Sequence, residues 1–503
     1  MQKKLNNQYL LALGSGICMG LTVAPVGAWF LAWVALSPLW VLMGKSKGRE
    51  SITLPLLWGI GYHGLALFWI TGIYPMTWLG VPWLPGLAIT CFCWSFVSLW
   101  GGLLVTAWAG CMVRLQRQHF ATRILLGTGI WCALEAIWSA GPLWWSSLSY
   151  TQSPHNLVIL HLGQLSGPSA VTAVIVAVNG IIAEGWNRRN LAIATGLLVT
   201  CHLLGLILYL QPIAQPPAAA LKIGIVQGNI PNQIKLLPEG IRRALSGYTS
   251  GYVTLAKQGV VGVLTPEGAL PVFQRDLSNT SLVAAVGKQG VVAWVGAFGQ
   301  QGRSYTNSLF TVAGDGEIVS HYDKVKLVPL GEYIPFEGIL GGIINRLSPL
   351  DEHQVPGNPH QLFDTPLGRA IAVICYESAF PQQVRYQAAA GGQFILSASN
   401  DAHYSAPMPA QHHAQDIMRA IESDRWGVRA TNTGYSGFVD PHGRTLWISK
   451  INTYQTHAET IYRRNTKTLY VRWGDWLTPV LLALGCLGGL VISWVESRHF
   501  QRF

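Results

Sequence analysis

Charge is scarce in this chain. Asp, Glu, Lys and Arg make up 11% of its 503 residues, against about 25% in soluble domains, and mean hydropathy is positive. That balance excludes an ordinary soluble globule and suits a bilayer. A basic stripe is missing as well. The net charge of +11 is concentrated between apolar runs, with ten Lys/Arg against three Asp/Glu from Met1 to Gln211, so nucleic acid is not an expected partner. There is no Cys-X-X-Cys and no His/Cys cluster at ligand spacing, so neither a metal site nor a cofactor is expected. Cysteine is nearly absent from the polar part. Cys18, Cys91, Cys93, Cys111, Cys132, Cys201 and Cys486 fall in apolar runs, and Cys375 alone lies between Pro212 and Asp475. Outer compartments oxidise and pair cysteines. A single one stays a free thiol, either an inert packing residue or a nucleophile.

A membrane-spanning helix needs about 20 apolar residues. Eight runs qualify, near Tyr9–Val23, Trp29–Met43, Leu54–Ile73, Leu84–Val113, Ile124–Ala140, Pro168–Ala183, Leu191–Leu210 and Leu477–Val495. Their connections alternate in charge. Lys3 and Lys4, then Lys45, Lys47 and Arg49, then Arg114, Arg117 and Arg123, then Arg188 and Arg189, and finally Arg498 and Arg502 occupy every second one, while the others hold no Lys or Arg. Positive residues stay inside, which puts both termini in the cytoplasm and Pro212–Asp475 on the outer face. The expected organisation is a seven-span membrane domain at 1–211, an outer domain at 212–475, and an eighth span with a short tail at 476–503. The first run is not expected to be a cleaved leader, because further spans follow it. Trp78, Trp83, Trp144 and Trp145 in the uncharged connections suit an interfacial aromatic belt or a lipid entrance. Glu135 and His63 fall inside spans, where ionisable groups are costly. They are either functional or buried helix–helix hydrogen bonds.

In the polar region, buried-type runs bounded by turns alternate with helix-like stretches, which predicts an α/β sandwich. Strands are expected at Lys222–Val226, Gly259–Leu264, Val291–Phe298, Ser308–Val312, Glu317–His321, Ile371–Ile374, Phe394–Ser399 and Trp426–Ala430, with a helix at Ala410–Ser423. Glu267 and Cys375 each follow a buried strand, and strand ends are where α/β folds gather reactive groups. Lys324 follows the hairpin around Gly314-Asp315-Gly316. Acyl transfer through a thiol needs a nucleophile, a base and a positive group near the developing oxyanion. These three residues supply one of each.

The motifs Val226-Gln227-Gly228-Asn229-Ile230-Pro231, Thr265-Pro266-Glu267, Lys324 through Leu327-Val328-Pro329-Leu330-Gly331-Glu332-Tyr333-Ile334-Pro335, Cys375-Tyr376-Glu377, Ser399-Asn400-Asp401-Ala402, Arg429-Ala430-Thr431-Asn432-Thr433-Gly434 and Asp440-Pro441-His442-Gly443 resemble the nitrilase superfamily. With the apolar runs, the whole chain resembles bacterial apolipoprotein N-acyltransferases. The resemblance implies a polytopic helical membrane domain of eight spans joined to an αββα nitrilase sandwich. It implies Glu267 as general base and acid, Lys324 as stabiliser of the tetrahedral intermediate, and Cys375 as the carrier of a thioester. Glu332 would support the site. Tyr376 and Glu377 would shape it, with the Tyr376 amide an oxyanion donor.

The implied reaction moves the sn-1 chain of a phospholipid, usually phosphatidylethanolamine, to the α-amine of diacylglyceryl-cysteine on an apolipoprotein. The implied setting is the inner membrane of a Gram-negative bacterium, with a monomeric enzyme facing the periplasm. A membrane-tethered amidase and a non-catalytic lipid-binding module are the competing readings. Two loops depart from the family pattern. His403-Tyr404-Ser405 stands where Trp-Phe-Gly is usual, and Leu236 and Leu237 stand where a Trp is favoured. Leu236, Leu237, His403 and Tyr404 are therefore substrate-entrance candidates. Segments near Pro335–Leu347 and His403–His413 are expected to move over Cys375. His403, His412 and His413 are not expected to hold a metal.

Overall fold

The computed structural model describes residues 2–77, 80–302, 304–329, 331–333 and 354–500. Trp78, Arg502 and Pro335–Leu347, all invoked above, lie outside them. The chain forms two compact units. One comprises Met1–Ile70, Thr90–Gln211 and Trp473–Phe503, the other Thr71–Ile89 and Pro212–Arg472.

The first unit is helical. Among the described residues, three helices are long and apolar enough to cross a membrane, Trp83–Arg114, Phe120–Ala140 and Arg188–Tyr209. A fourth candidate is the pair Leu157–Ser166 and Pro168–Ala183, bent by 117°. The other expected runs are helical as well. Gln2–Gly20, Glu50–Ala66 and Leu477–Phe500 cover the first, third and last. The second run divides into a 3-10 turn, Trp29–Trp33, and a short helix, Ser37–Met43. Asn179 supports that break. Its Oδ1 accepts from the N–H groups of Leu36 and Ser37 at 2.9 Å each, and its Nδ2 donates to Ala32 O and Ile175 O at 2.8 and 2.9 Å. Backbone groups freed in an apolar medium need such partners. Glu135 is buried and accepts four hydrogen bonds, from Trp131 Nε1, Ser147 Oγ, Leu148 N and Thr172 Oγ1. This is the hydrogen-bonded alternative raised by the sequence. Gln2–Gly20 and Glu50–Ala66 pack closely because Gly16 carries no Cβ, which would lie 2.1 Å from Trp58 O.

The second unit contains two six-stranded sheets. The first runs β12-β1-β2-β3-β4-β5 and the second β11-β10-β9-β8-β7-β6. The strands are β1 Ala220–Gln227, β2 Gly262–Leu264, β3 Val292–Gln301, β4 Ser304–Val312, β5 Ile318–Asp323, β6 Phe363–Thr365, β7 Gly368–Ile374, β8 Phe394–Ser399, β9 Gly427–Thr431, β10 Gly437–Val439, β11 Thr445–Ile448 and β12 Gln455–Tyr462. β1, β2 and β3 are parallel, as are β7, β8 and β9.

Strand alternation builds the layers. Ala370, Ala372 and Ile374 of β7 join Ile223 and Ile225 of β1 in the core between the sheets. Ile371 and Val373 point the other way, into a cluster with Val384 and Ala388 of the helix Pro381–Ala389. Val226 likewise packs with Ala244, Tyr248, Tyr252 and Leu255 of the helix Pro238–Ala256. The result is the αββα sandwich. Eight expected strands are present. β6, β10, β11 and β12 were not anticipated, for a physical reason. β6 and β10 are three residues long, β11 is a four-residue, mostly exposed edge, and β12 carries polar, half-exposed residues at the other edge.

Candidate active site

The parallel strands of both sheets deliver their ends to one place. Thr265-Pro266-Glu267 follows β2, Lys324 follows β5, and Cys375 follows β7 directly. Cys375 has φ of +50° and opens a 3-10 turn, Cys375–Ala379. A non-glycine residue in the left-handed region is held there by its surroundings. Here Glu377 does the holding. Its Oε2 accepts from Ile374 N at 2.7 Å, and its Oε1 accepts from Val325 N at 2.6 Å, Lys326 N at 3.3 Å and the Tyr322 hydroxyl at 3.2 Å. One carboxylate thus ties the residue before Cys375 to the two residues after Lys324. Burial pushes the Glu377 carboxyl up to about 7.

The structure brings Glu267, Lys324, Cys375 and Glu332 together. Lys324 Nζ donates to Glu267 Oε1 at 2.8 Å and to Glu332 Oε1 at 2.7 Å. Its side chain is 1% exposed. Burial works against the ammonium, but the two carboxylates outweigh it and hold Lys324 well above its ordinary value. Glu267 also accepts from Asn307 Nδ2 at 2.7 Å and Asn400 N at 2.9 Å, and the Cys375 thiol lies close enough to influence its charge. Burial raises the Glu267 carboxyl, yet the Lys324 charge and these bonds bring it below its usual range. Burial, with Glu267 beside it, pushes the Cys375 thiol well above its ordinary value. The arrangement at rest is therefore a neutral thiol beside a carboxylate, with a fixed ammonium alongside. Glu332 Oε2 also accepts from Val328 N at 2.8 Å, and burial raises its pKa.

A second polar network supports Cys375 from behind. His412 Nε2 lies 2.7 Å from the Cys375 carbonyl oxygen. A carbonyl only accepts, so Nε2 carries the hydrogen. Arg429 Nη2 donates to His412 Nδ1 at 2.7 Å, and Arg429 Nη1 donates to Asp416 Oδ2 at 2.6 Å. The ligand atoms of Cys375, Asp401 and His412 lie within 4.8 Å of one another. Both nitrogens of His412 are already engaged, however, and the Arg429 guanidinium sits against Asp401 and His412. This is the chemistry of a hydrogen-bond network rather than a metal centre. His413 turns elsewhere, to Thr445 Oγ1 at 2.9 Å.

The entrance candidates also find places. Leu236 and Leu237 are 59% and 53% exposed. His403 lines a cavity with Ala402, Asn232, Gln233, Gly72 and Tyr74, and the charges of the site reach both His403 and Tyr404. Tyr376 stacks edge-on against Phe380 at 4.9 Å. Sequence reasoning missed Asn307, Lys235 and the role of His412. Asn307 had a signal, a buried polar residue within a strand run. Lys235 stood between recognised motifs and left none of its own.

Comparison with known proteins agrees over the full length. A family model described as carbon-nitrogen hydrolase matches residues 222–462. One described as the apolipoprotein N-acyltransferase N-terminal domain matches residues 15–181. A protein named apolipoprotein N-acyltransferase from Nostoc sp. is 69% identical over 494 residues, covering 96% of this chain and 99% of the relative. Its namesake from Synechocystis sp. is 46% identical, covering 94% and 98%, and that from Thermosynechococcus vestitus is 44% identical, covering 99% and 98%. With a buried cysteine beside the paired carboxylate and lysine of a carbon-nitrogen hydrolase domain, the chain is an acyltransferase and belongs to the apolipoprotein N-acyltransferase family.

Proposed function

We propose that this enzyme moves the sn-1 acyl chain of a phospholipid, with phosphatidylethanolamine the expected donor, onto Cys375 as a thioester. It then passes the chain to the α-amine of diacylglyceryl-cysteine at the N-terminus of an apolipoprotein. The observation that carries this reading is the buried Cys375 thiol beside Glu267, whose carboxylate is fixed by Lys324. Because burial keeps the thiol neutral and Lys324 keeps Glu267 ionised, a free thiolate does not accumulate. The thiol proton passes to Glu267 as sulfur attacks the ester carbonyl, and Glu267 returns it to the departing glycerol oxygen. Lys324 stands where charge develops on the tetrahedral oxygen, with the Tyr376 amide as a second donor. In the second half, the amine attacks the thioester, Glu267 takes its proton, and the thiolate leaves and is reprotonated. Water must be kept from the thioester, which suits a site serving lipid-anchored substrates.

The charge alternation supports an eight-span topology in the inner membrane of a Gram-negative bacterium. Both termini would be cytoplasmic, with a monomer presenting 212–475 to the periplasm between a membrane domain at 1–211 and a last span at 476–503. The test is intact-mass analysis after incubation with phosphatidylethanolamine labelled on its sn-1 chain. An acyl-sized adduct on the wild type, removed by hydroxylamine and absent from Cys375→Ala, is expected, and a diacylated lipopeptide should discharge it. No adduct, with turnover of small amides instead, would move the assignment to a membrane-tethered amidase.

A further inference from the structure

Lys235 ends the four-residue helix Asn232–Lys235. Its side chain is partly buried, and Nζ reaches the main-chain carbonyl of Glu267 at 3.3 Å. The same helix contributes Asn232 and Gln233 to the cavity that His403 and Tyr74 also line. Asn232 Oδ1 accepts from Asn400 Nδ2 at 3.3 Å, and the Asn400 N–H donates to Glu267 Oε2 at 2.9 Å. Lys235 is thus tied to Glu267 twice, directly and through its helix. Leu236 and Leu237 follow it and are both more than half exposed. A cation next to an exposed apolar pair, at the edge of an acyl-transfer site, has the polarity of a lipid, with charge at one end and chain beside it.

The site's charge balance sharpens this reading. Lys324 is enclosed and committed to Glu267 and Glu332, so the two carboxylates exceed their one cation. A phospholipid brings its own negative charge, a phosphodiester one glycerol backbone away from the sn-1 ester. Such a donor would be repelled unless another cation met it. We infer that Lys235 is that cation and binds the phosphodiester of the acyl donor, so that the sn-1 carbonyl is set against Cys375. This rests on the thioester reading above and makes Lys235 the residue that selects a phospholipid over an uncharged diglyceride.

The groups facing Lys235 are Glu267, which favours its charged form, Cys375, which would do so only as a thiolate, and Lys324, which opposes it. His403 faces the same place, with burial taking it down to about 4, so it is uncharged at neutral pH. Burial brings Lys235 to about 8. It is therefore mostly cationic at pH 7 and loses its charge above pH 8, and a bound phosphodiester would hold the proton on.

The test uses the full-length protein in detergent and measures the rate of Cys375 loading by intact mass. The donors are phosphatidylethanolamine and the diacylglycerol with the same chains. The wild type is expected to load from the phospholipid at a much lower KM, with the preference fading above pH 8. Lys235→Met should raise the phospholipid KM by roughly tenfold to a hundredfold, the worth of a charge-assisted hydrogen bond, and leave kcat and the diacylglycerol reaction as they were. Lys235→Arg should restore the preference. An unchanged phospholipid KM in Lys235→Met, or an equal loss with both donors, would overturn the proposal. So would inorganic phosphate slowing both donors alike in a wild type with no donor preference. Absence of any adduct in the wild type would instead remove the thioester reading beneath it.

Discussion

His412 Nε2 donates to the carbonyl oxygen of Cys375 across 2.7 Å, from a helix, Pro407–Ser423, that begins 32 residues after the nucleophile. The bond fixes the peptide whose φ of +50° aims the thiol at Glu267. His412→Ala would leave that carbonyl buried without its donor and remove the acceptor that Arg429 Nη2 uses. Each orphaned buried group costs about 1–3 kcal/mol, and a nucleophile displaced by about 1 Å loses about 10²-fold in rate. Thioester loading in His412→Ala should fall by about that factor, with a lower melting temperature. A wild-type loading rate in a protein with a lower melting temperature would assign the bond to stability alone.

Lys324 has the opposite character, since its partners suffer when it is removed. In the wild type its charge keeps Glu267 below the unfolded value, so that contribution to stability is present above about pH 4.3 and is lost as pH falls through the folded pKa. Lys324→Met reverses the sign. Glu267 and Glu332 would then lose the ammonium they share, with Lys235 left near Glu267 alone, and both would titrate higher than in the wild type, penalising folding at pH 7 and less so as pH drops. About 3–5 kcal/mol of lost stability is expected near neutrality, with no loading of Cys375. Melting curves in detergent at pH 7.5 and 5 should show the gap to wild type narrowing on acidification. A gap independent of pH would mean that the carboxylates find another cation.

Glu267 and Cys375 stood out in the sequence because each follows a buried apolar strand, Leu264 before Thr265-Pro266-Glu267 and Ile374 before Cys375, whereas Lys324 follows the half-exposed, polar strand β5 and drew attention through the motif around it rather than through spacing. The supporting groups were less legible. Asn307 is paired with Glu267 by antiparallel pairing within the β3-β4-β5 sheet, a non-local fact, and His412 faces Cys375 only because its helix packs over the turn. The apolar runs of the membrane unit were legible as composition but not as continuity. Run length cannot reveal that Asn179, 142 residues away, takes the N–H of Ser37 and supports a broken helix. Nor does it show the 117° bend before Pro168–Ala183. Edge strands such as β12 were missed because half-exposed polar residues leave no apolar run.

As a carboxylate, Glu377 accepts four hydrogen bonds and donates none. Glu377→Gln keeps the shape but offers one oxygen. If that oxygen serves Val325, Lys326 and Tyr322, the amide nitrogen faces the N–H of Ile374, donor against donor. The turn carrying Cys375 then loosens at its first residue. Loading should slow by about tenfold to a hundredfold through kcat, with the donor KM little changed, because Glu377 acts on the position of Cys375 and not on substrate. A rise in KM at constant kcat would place Glu377 in donor binding instead.

The loop at Gly72 tests the entrance. A Cβ at Gly72 would lie 2.5 Å from Ser405 N and 3.0 Å from Ser405 Cα. These are backbone atoms that cannot rotate away, so one of the two loops must shift. The same segments supply Gly72, Tyr74, Ala402 and His403 to the cavity beside Asn232, so the shift falls on the substrate side of Cys375 and not on the Glu267–Lys324 pair. Overpacking of this kind costs about 1–3 kcal/mol, and Gly72→Ala should lower the melting temperature modestly. Its larger effect should be on selection. In a mixture of phospholipids differing in sn-1 chain length, the distribution of acyl masses on Cys375 should change, while loading by the preferred chain stays within about tenfold of wild type. Gly14→Ala is the control. It lies in the helix Gln2–Gly20 with nothing within 4 Å of the added carbon, and alanine is favoured there by about 1 kcal/mol. It should leave both the melting temperature and the acyl distribution at wild-type values or slightly above in stability. An unchanged acyl distribution in Gly72→Ala, with the expected loss of stability, would show that the His403–Ser405 loop supports the fold and does not measure the chain.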